Sequence, residues 1–367
     1  MTGPTKIALA TAFALTLALP ARADIAMALV GPLTGSYASV GEQLRRGAEQ
    51  AVEDINAAGG ILGQKVTLKL ADDVCDPKQG VAVANKLAAE GVSLVVGHFC
   101  SGVAIPASDV YAEENMVLIS PGATAPKLTG RGMKTLFRTC GNDDQQGLVA
   151  GSYIAAKFPG ARVAILHDKQ VATKGQADET RAQLHRLGVK EMLYDAVTHG
   201  EKDFHAVVTR LKAEQVDLLF YGGYHTEAGL ILRQMRETGT NAVLMGGDAL
   251  MTQELWSIAG PAAEGALMVF SPDPRRNASA KPVVERFRKS GYEPEGYTLY
   301  TYAAFQAYAQ AMAQAKTSKS QAVGAALHAG KFDTVLGPLS FDAKGDVVGE
   351  TYTVYRWSNG TYDYAPK

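Results

Sequence analysis

VSLVVGHFCSGVAIPASDVYAEENMVLISPGAT, residues 92–124, decides the fold class. It opens and closes with short apolar runs, VSLVVGH (92–98) and MVLISPG (116–122), rich in Val, Leu and Ile. Continuous runs of this length read as strands buried on both faces of a parallel sheet, because half-exposed strands alternate apolar with polar. The stretch between them, near Val103–Glu114, reads as a helix. The unit is therefore strand, helix, parallel strand.

The same unit extends in both directions. Further strand-like runs are IAMALVG (25–31), VTLKLAD (66–72), RVAILHD (162–168), MLYDAVT (192–198), VDLLFYGG (216–223), NAVLMGG (241–247) and GALMVFS (265–271). Segments with helical spacing separate them. From Val40 to Asn56, Val40, Leu44, Ala48, Ala51, Val52 and Ile55 form one face, while Glu42, Arg45, Arg46 and Glu49 take the other. Gly59-Gly60 ends that helix. Similar spacing covers 77–90, 144–158, 174–188, 203–214 and 225–239. Alternating β and α elements predict an α/β protein with doubly wound sheets and helices on both faces. One sheet of more than about nine strands is unusual for an ordinary domain, so two lobes are expected. The first break is placed at Phe137–Asn142 (FRTCGN) and a return at Ser271–Pro274 (SPDP), where Pro, Asp and Ser cluster. Helices follow near 280–290, 298–315 and 319–330, and the tail 336–357 reads as two strands around an Asp342–Asp346 turn.

The N-terminus reads as a cleavable export signal, residues 1–23. Lys6 is the positive start, Ile7–Leu19 is a 13-residue apolar run, and Pro20 breaks it before Ala21-Arg22-Ala23. A membrane anchor is the alternative, but a spanning helix needs about 20 apolar residues. No cysteine follows the run, so no lipid anchor is expected, and the mature chain would start at Asp24. Losing Lys6 and Arg22 takes the formal charge from −1 to −3, which gives no support to nucleic-acid binding. Cys75 and Cys100 lie just after two predicted strands, and neighbouring strand ends can bring two Cα atoms to disulfide distance. Three free thiols are the alternative; an exported chain favours the bridge. Cys140 is then left over as a buried thiol.

No catalytic constellation stands out. The sequence has no HExxH, no Cys/His zinc spacing, no GxSxG, no P-loop and no GxGxxG after the first strand. No metal, cofactor or enzymatic activity is expected. Small polar residues instead collect at strand C-terminal ends, where doubly wound sheets bind ligands. Ser101 opens a helix after VSLVVGHF, Thr124 closes SPGAT, Tyr224 follows VDLLFYGG, and Asp248 follows NAVLMGG. Each alone also reads as a cap or loop residue. Gly31–Gly41 (GPLTGSYASVG) is either a loop that lets backbone approach a ligand or an ordinary turn.

With these residues the chain resembles the periplasmic leucine/isoleucine/valine-binding proteins, the receptors of ABC importers. The resemblance rests on QAVEDINAAGGI (50–61), DPKQGVAVANKL (76–87), VVGHFCS (95–101), LISPGATAPKLTGRG (118–132), GEKDFHAVVTRLK (200–212), YGGYHTEAGLILRQ (221–234) and DTVLGPLSFDAKGD (333–346). It covers essentially the whole chain after residue 23. It implies a type I periplasmic binding protein, a Venus-flytrap of two doubly wound α/β lobes joined by a three-segment hinge. The lobes would comprise residues 24–140 with 273–346, and 141–272 with 347–367. The family disulfide matches Cys75 and Cys100.

The resemblance also implies a site. Ser101 and Thr124 match residues that hold the ligand carboxylate. Gly122 matches a residue whose carbonyl accepts from the ammonium, and Tyr224 and Asp248 match second-lobe residues facing that ammonium. A zwitterion buried in a closed cleft needs each charge hydrogen-bonded. The family's acid is usually Glu, so Asp248 is one methylene short. Two aromatic wall positions align with Val40 and Ala172, which implies a pocket roomy enough for side chains larger than leucine's, such as phenylalanine's. Tyr297 matches a third aromatic position. The implied partners are a hydrophobic L-amino acid, an inner-membrane permease and its ATPase, with the receptor acting as a periplasmic monomer. A sensor on the same fold and a hydrolase with an unrecognised site are the competing readings.

Overall fold

The computed structural model describes residues 24–349 and 351–366, so the export signal expected at 1–23 lies outside the described residues. The predicted alternation folds into two large sheets. The first holds β1 (Ile25–Gly31), β2 (Val66–Asp72), β3 (Leu94–Val96), β4 (Val117–Ser120) and β5 (Leu136–Arg138). Its order is β2-β1-β3-β4-β5, all parallel. The second contains β6 (Val163–His167), β7 (Leu193–Ala196), β8 (Leu218–Gly222), β9 (Val243–Gly246) and β10 (Leu267–Phe270). β11 (Phe332–Thr334) and β12 (Gly337–Leu339) form a separate ribbon, and β13 (Thr353–Ser358) and β14 (Thr361–Tyr364) join the second sheet. The second order is β14-β13-β10-β9-β8-β6-β7, with β13 antiparallel to both neighbours.

The helices are α1 (Ala38–Ala57), α2 (Pro77–Ala89), α3 (Ser101–Glu113), α4 (Pro126–Gly130), α5 (Asp143–Lys157) and α6 (Val171–Arg186). They continue as α7 (His205–Ala213), α8 (His225–Glu237), α9 (Gln253–Ala259), α10 (Lys281–Lys289), α11 (Thr298–Ala315) and α12 (Ser320–Ala329). Both faces of each sheet are covered, which is why the strands read as unbroken apolar runs. On β1, Ala28 and Val30 pack towards Ala104, Ala107 and Tyr111 of α3, while Met27 and Leu29 belong to the core with Leu44 and Ala48 of α1. α1 and α11 approach closely at Gly47, where a Cβ would stand 2.2 Å from the Thr298 carbonyl oxygen. Tyr308 of α11 donates to the carbonyls of Val95 (2.9 Å) and Val117 (2.6 Å), pinning that helix to β3 and β4. Ile165 and Phe220 of the second sheet pack with Ile154 of α5 and Leu184 of α6.

The chain crosses between the sheets after β5, again after β10, and again between β12 and β13. The first crossing falls within FRTCGN, but its opening residues form β5 rather than linker. The tail differs from the sequence reading. The Asp342–Asp346 turn is closed by an isolated bridge between Phe341 and Val347 and by the Asp342 N–H donating to the Asp346 carbonyl at 2.8 Å, without strands on either side. The hairpin is β13–β14, turning at Asn359-Gly360 with φ of 51° and 80°. Asn-Gly is the preferred sequence for that left-handed two-residue turn.

Cys75 and Cys100 are disulfide-bonded, with Cα atoms 5.7 Å apart. Cys140 is buried, its thiol directed at the Ala123 carbonyl at 3.8 Å. Beside the bridge, buried His98 pairs with Asp73 at 2.7 Å and with the Tyr111 hydroxyl at 3.0 Å. The bridge ties the segment after β2 to the start of α3. Closing a loop with this sequence separation of 25 contributes about 3.5 kcal/mol in the chain-entropy account. The double substitution Cys75→Ser/Cys100→Ser should lower stability by about that amount, measured by urea unfolding with circular dichroism. An unchanged midpoint would show that the bridge does not constrain the unfolded chain.

Candidate functional site

The two sheets share one winding: β2-β1-β3-β4-β5 in the first, β7-β6-β8-β9-β10 in the second. In such sheets strand order reverses beside the first strand, and ligands bind outside the carboxyl ends there. These reversal points lie between β1 and β3, and between β6 and β8. They face each other. Tyr37, after β1, packs against Tyr224, after β8, with centroids 4.4 Å apart and the rings tilted by 35°. The Tyr37 hydroxyl lies 2.8 Å from His199 Nδ1, and the Thr226 hydroxyl donates to the Ser36 carbonyl at 3.1 Å. The cleft is thus closed at its mouth.

Behind that closure is a small space lined from both sheets. Phe99, Gly122 and Thr124 line it from the first sheet, and Ala172, Tyr224 and Asp248 from the second. Tyr297, just before α11, also lines it. Five of the positions expected from sequence therefore meet in one cavity: Gly122, Thr124, Ala172, Tyr224 and Asp248, with Tyr297 as a sixth.

The loop after β4 is held from several sides. The Ser120 hydroxyl donates to the His98 carbonyl (2.8 Å) and accepts from the Ala123 N–H (2.9 Å). The Ser101 hydroxyl, buried at the start of α3, accepts from the Ala125 N–H at 3.1 Å. Ser101 thus stands behind the loop rather than on the cavity wall. Arg138, at the end of β5, is buried and donates to the carbonyls of Ala123 (3.2 Å) and Ala125 (3.1 Å), and to Thr129 (2.8 Å). Its remaining edge binds Asp346 at 2.6 Å, on the segment between β12 and β13. Gly122 allows close approach: a Cβ there would lie 2.7 Å from the Phe99 ring.

Asp248 is buried opposite this loop. It accepts from the Tyr297 hydroxyl at 2.5 Å and from the Gln176 amide at 2.9 Å, and its own N–H donates to Gln146 at 3.0 Å. The same Gln176 nitrogen donates to buried Asp143 at 3.0 Å. Burial raises the pKa of Asp248. Burial, and then the charge of Asp248, push Asp143 up to about 7.

The sequence profile described as periplasmic binding protein matches residues 24–361. This chain belongs to the periplasmic binding protein family.

Relatives of this binding protein agree along its length. It is 50% identical over 346 residues to Leu/Ile/Val-binding protein homolog 1 of Brucella suis biovar 1, covering 93% of each chain. It is 48% identical to a protein of Pseudomonas aeruginosa named amino acid binding protein, covering 98% of this chain and 97% of the other. Among solved structures it resembles the branched-chain amino acid transporter substrate-binding protein of Streptococcus pneumoniae, crystallised with isoleucine. That match has a TM-score of 0.84 and 28% identity, and covers 93% of this chain and 98% of the other.

One sequence expectation needs correction. Val40 does not line the cavity; it is buried in the core beside Leu44, within α1. The aromatic ring of that loop is Tyr37, one helical turn earlier, and Phe99 adds a ring the sequence reading missed. Phe99 packs edge-on against Tyr297 (5.1 Å) and Tyr224 (5.9 Å). Rings from Phe99, Tyr224 and Tyr297 stand around the space beside Ala172. Asp143, Gln176 and Arg138 were also missed. Asn142-Asp143-Asp144-Gln145 reads as an ordinary helix start, and Asn142 with Gln145 does form a capping box. Nothing local marks Asp143 as buried.

Replacing Arg138 by Met should cost about 3 kcal/mol, because it strands the Ala123 and Ala125 carbonyls and leaves Asp346 without its partner. The first-sheet half of the cavity should loosen with it. Thermal unfolding and amide hydrogen exchange across 121–129 would read both effects; unchanged exchange there would mean the loop holds its shape unaided.

Proposed function

We propose that this protein is the periplasmic receptor of an ABC importer, exported by its first 23 residues and capturing an apolar L-α-amino acid for delivery to a membrane permease. The observation that carries the reading is the pairing of opposite chemistries across one small space. The Gly122–Thr124 loop of the first sheet faces Asp248 and Tyr224 of the second. In this reading the ligand carboxylate takes the Thr124 hydroxyl and the N–H groups at the loop and the start of α3, beside Ser101. The ammonium takes Asp248 and the Gly122 carbonyl, and the apolar side chain lies among Phe99, Tyr224, Ala172 and Tyr297. The names of the relatives, which specify leucine, isoleucine, valine or an amino acid, support this ligand class.

The lobes of the reading are residues 24–140 with 273–346, and 141–272 with 347–367. The carboxylate is then held by the first lobe and the ammonium by both, so binding favours closure. The permease can tell full from empty only because ligand affinity differs between the open and closed states. The rings of Phe99, Tyr224 and Tyr297 crowd the space beside Ala172, which favours side chains no larger than leucine's.

Two measurements test the reading. Calorimetry across alanine, valine, leucine and phenylalanine should show binding to at least one of the first three and none to phenylalanine; tight phenylalanine binding would sink the size limit. Asp248→Asn should weaken binding of the same ligand by about 2 kcal/mol, the scale of a charged hydrogen bond, without loss of fold. Unchanged affinity would remove Asp248 from the site.

A further inference from the structure

Resting on that reading, we infer that Asp143 is a second anionic contact for the ligand's ammonium, and that binding an amino acid drives a proton off this carboxyl. Asp143 opens α5, directly after the chain's first crossing between the sheets. Its side chain is almost wholly buried, and its N–H donates to the Thr124 carbonyl at 3.1 Å. One carboxylate oxygen accepts from Gln176 at 3.0 Å; the other, Oδ2, is buried without a well-formed hydrogen bond, and the Thr124 hydroxyl on the cavity wall is the donor beside the carboxyl. Gln176 itself lines the cavity and joins Asp143 to Asp248 through a single amide nitrogen.

Two buried carboxylates sharing one neutral donor lack a cation. The charged or titratable groups bearing on Asp143 are Asp248 after β9, Arg138 on β5 and Tyr224 after β8. Arg138 is the only base among these three, and its hydrogen bonds go to Asp346, Thr129 and the Ala123 and Ala125 carbonyls rather than to Asp143. Without a ligand the cheapest way to relieve the pair is to keep a proton, which fits the upward displacement of Asp143 to about 7. An ammonium that reaches both acids from the cavity side supplies the missing charge and makes the proton unnecessary. The proton on Asp143 Oδ2 then leaves to solvent, and one N–H of the ammonium takes its place. A ligand with a carboxylate but no ammonium cannot make this exchange.

The sign follows. Below the pKa of the empty site, binding must first remove a proton, so affinity falls as pH falls. Above it, affinity levels off. With that pKa at about 7, binding at pH 7 should release about half a proton per site.

The test uses the mature protein and whichever of L-alanine, L-valine or L-leucine binds most tightly at pH 8. Calorimetry at pH 7 in buffers of different ionisation enthalpy should give a release of about 0.5 proton. Affinity should rise at least tenfold from pH 5.5 to pH 8, and Asp143→Asn should flatten that slope while keeping measurable binding. The deaminated analogue of the same amino acid should bind at least 100-fold more weakly. Binding that exchanges no proton in the wild-type protein overturns the inference, whether or not the variant folds, and leaves the receptor reading standing. A pH slope that persists in a folded Asp143→Asn variant overturns it too, by placing the proton elsewhere. Failure of every amino acid to bind at every pH overturns the receptor reading and this inference with it.

Discussion

A single amide nitrogen, that of Gln176, lies between two buried carboxylates, Asp143 at 3.0 Å and Asp248 at 2.9 Å. The rest of the site depends on that arrangement. Buried charge is tolerated only when hydrogen-bonded or paired, and here the hydrogen bonds come from several elements. Gln176 is on α6, Asp143 begins α5, Asp248 follows β9, and Tyr297, which caps Asp248 at 2.5 Å, precedes α11. No local stretch could hold such a cluster. It exists because the carboxyl ends of two similarly wound sheets meet.

That meeting is itself a consequence of strand order. In both sheets the reversal point leaves a crevice at the strand ends. The loops there are short and anchored, so polar groups aimed into the crevice keep their positions. Arg138 shows how. Its guanidinium lies behind the Ala123–Ala125 backbone and binds Asp346, so it ties the first crossing of the chain to the segment before the third. A site held this way needs little reordering when a ligand arrives, which spares binding energy.

The aromatic walls follow a different rule. Phe99, Tyr224 and Tyr297 meet edge to face, the geometry favoured by ring quadrupoles. Their position is fixed by what adjoins them: the disulfide at Cys100 beside Phe99, the Asp248 bond at Tyr297, and the bare backbone of Gly122 beneath both rings. The wall is therefore held from several sides.

The sequence by itself determined the α/β class, β1–β4 and β6–β10, the bridging cysteines and the place of Gly122, Thr124, Tyr224 and Asp248 just after strands. These are legible because they depend on local periodicity, turn chemistry and the place of a residue after a strand. Only the tertiary structure decided which of them share a cavity. It set Val40 in the core, Tyr37 at the mouth of the cleft and Phe99 at the wall, because the facing of a ring depends on helix rotation and on the opposite sheet. It also buried Asp143, which locally is an acidic residue in the first turn of a capped helix. Burial there comes from α6 and from the loop after β4, far away in sequence, and no window of neighbouring residues carries that information.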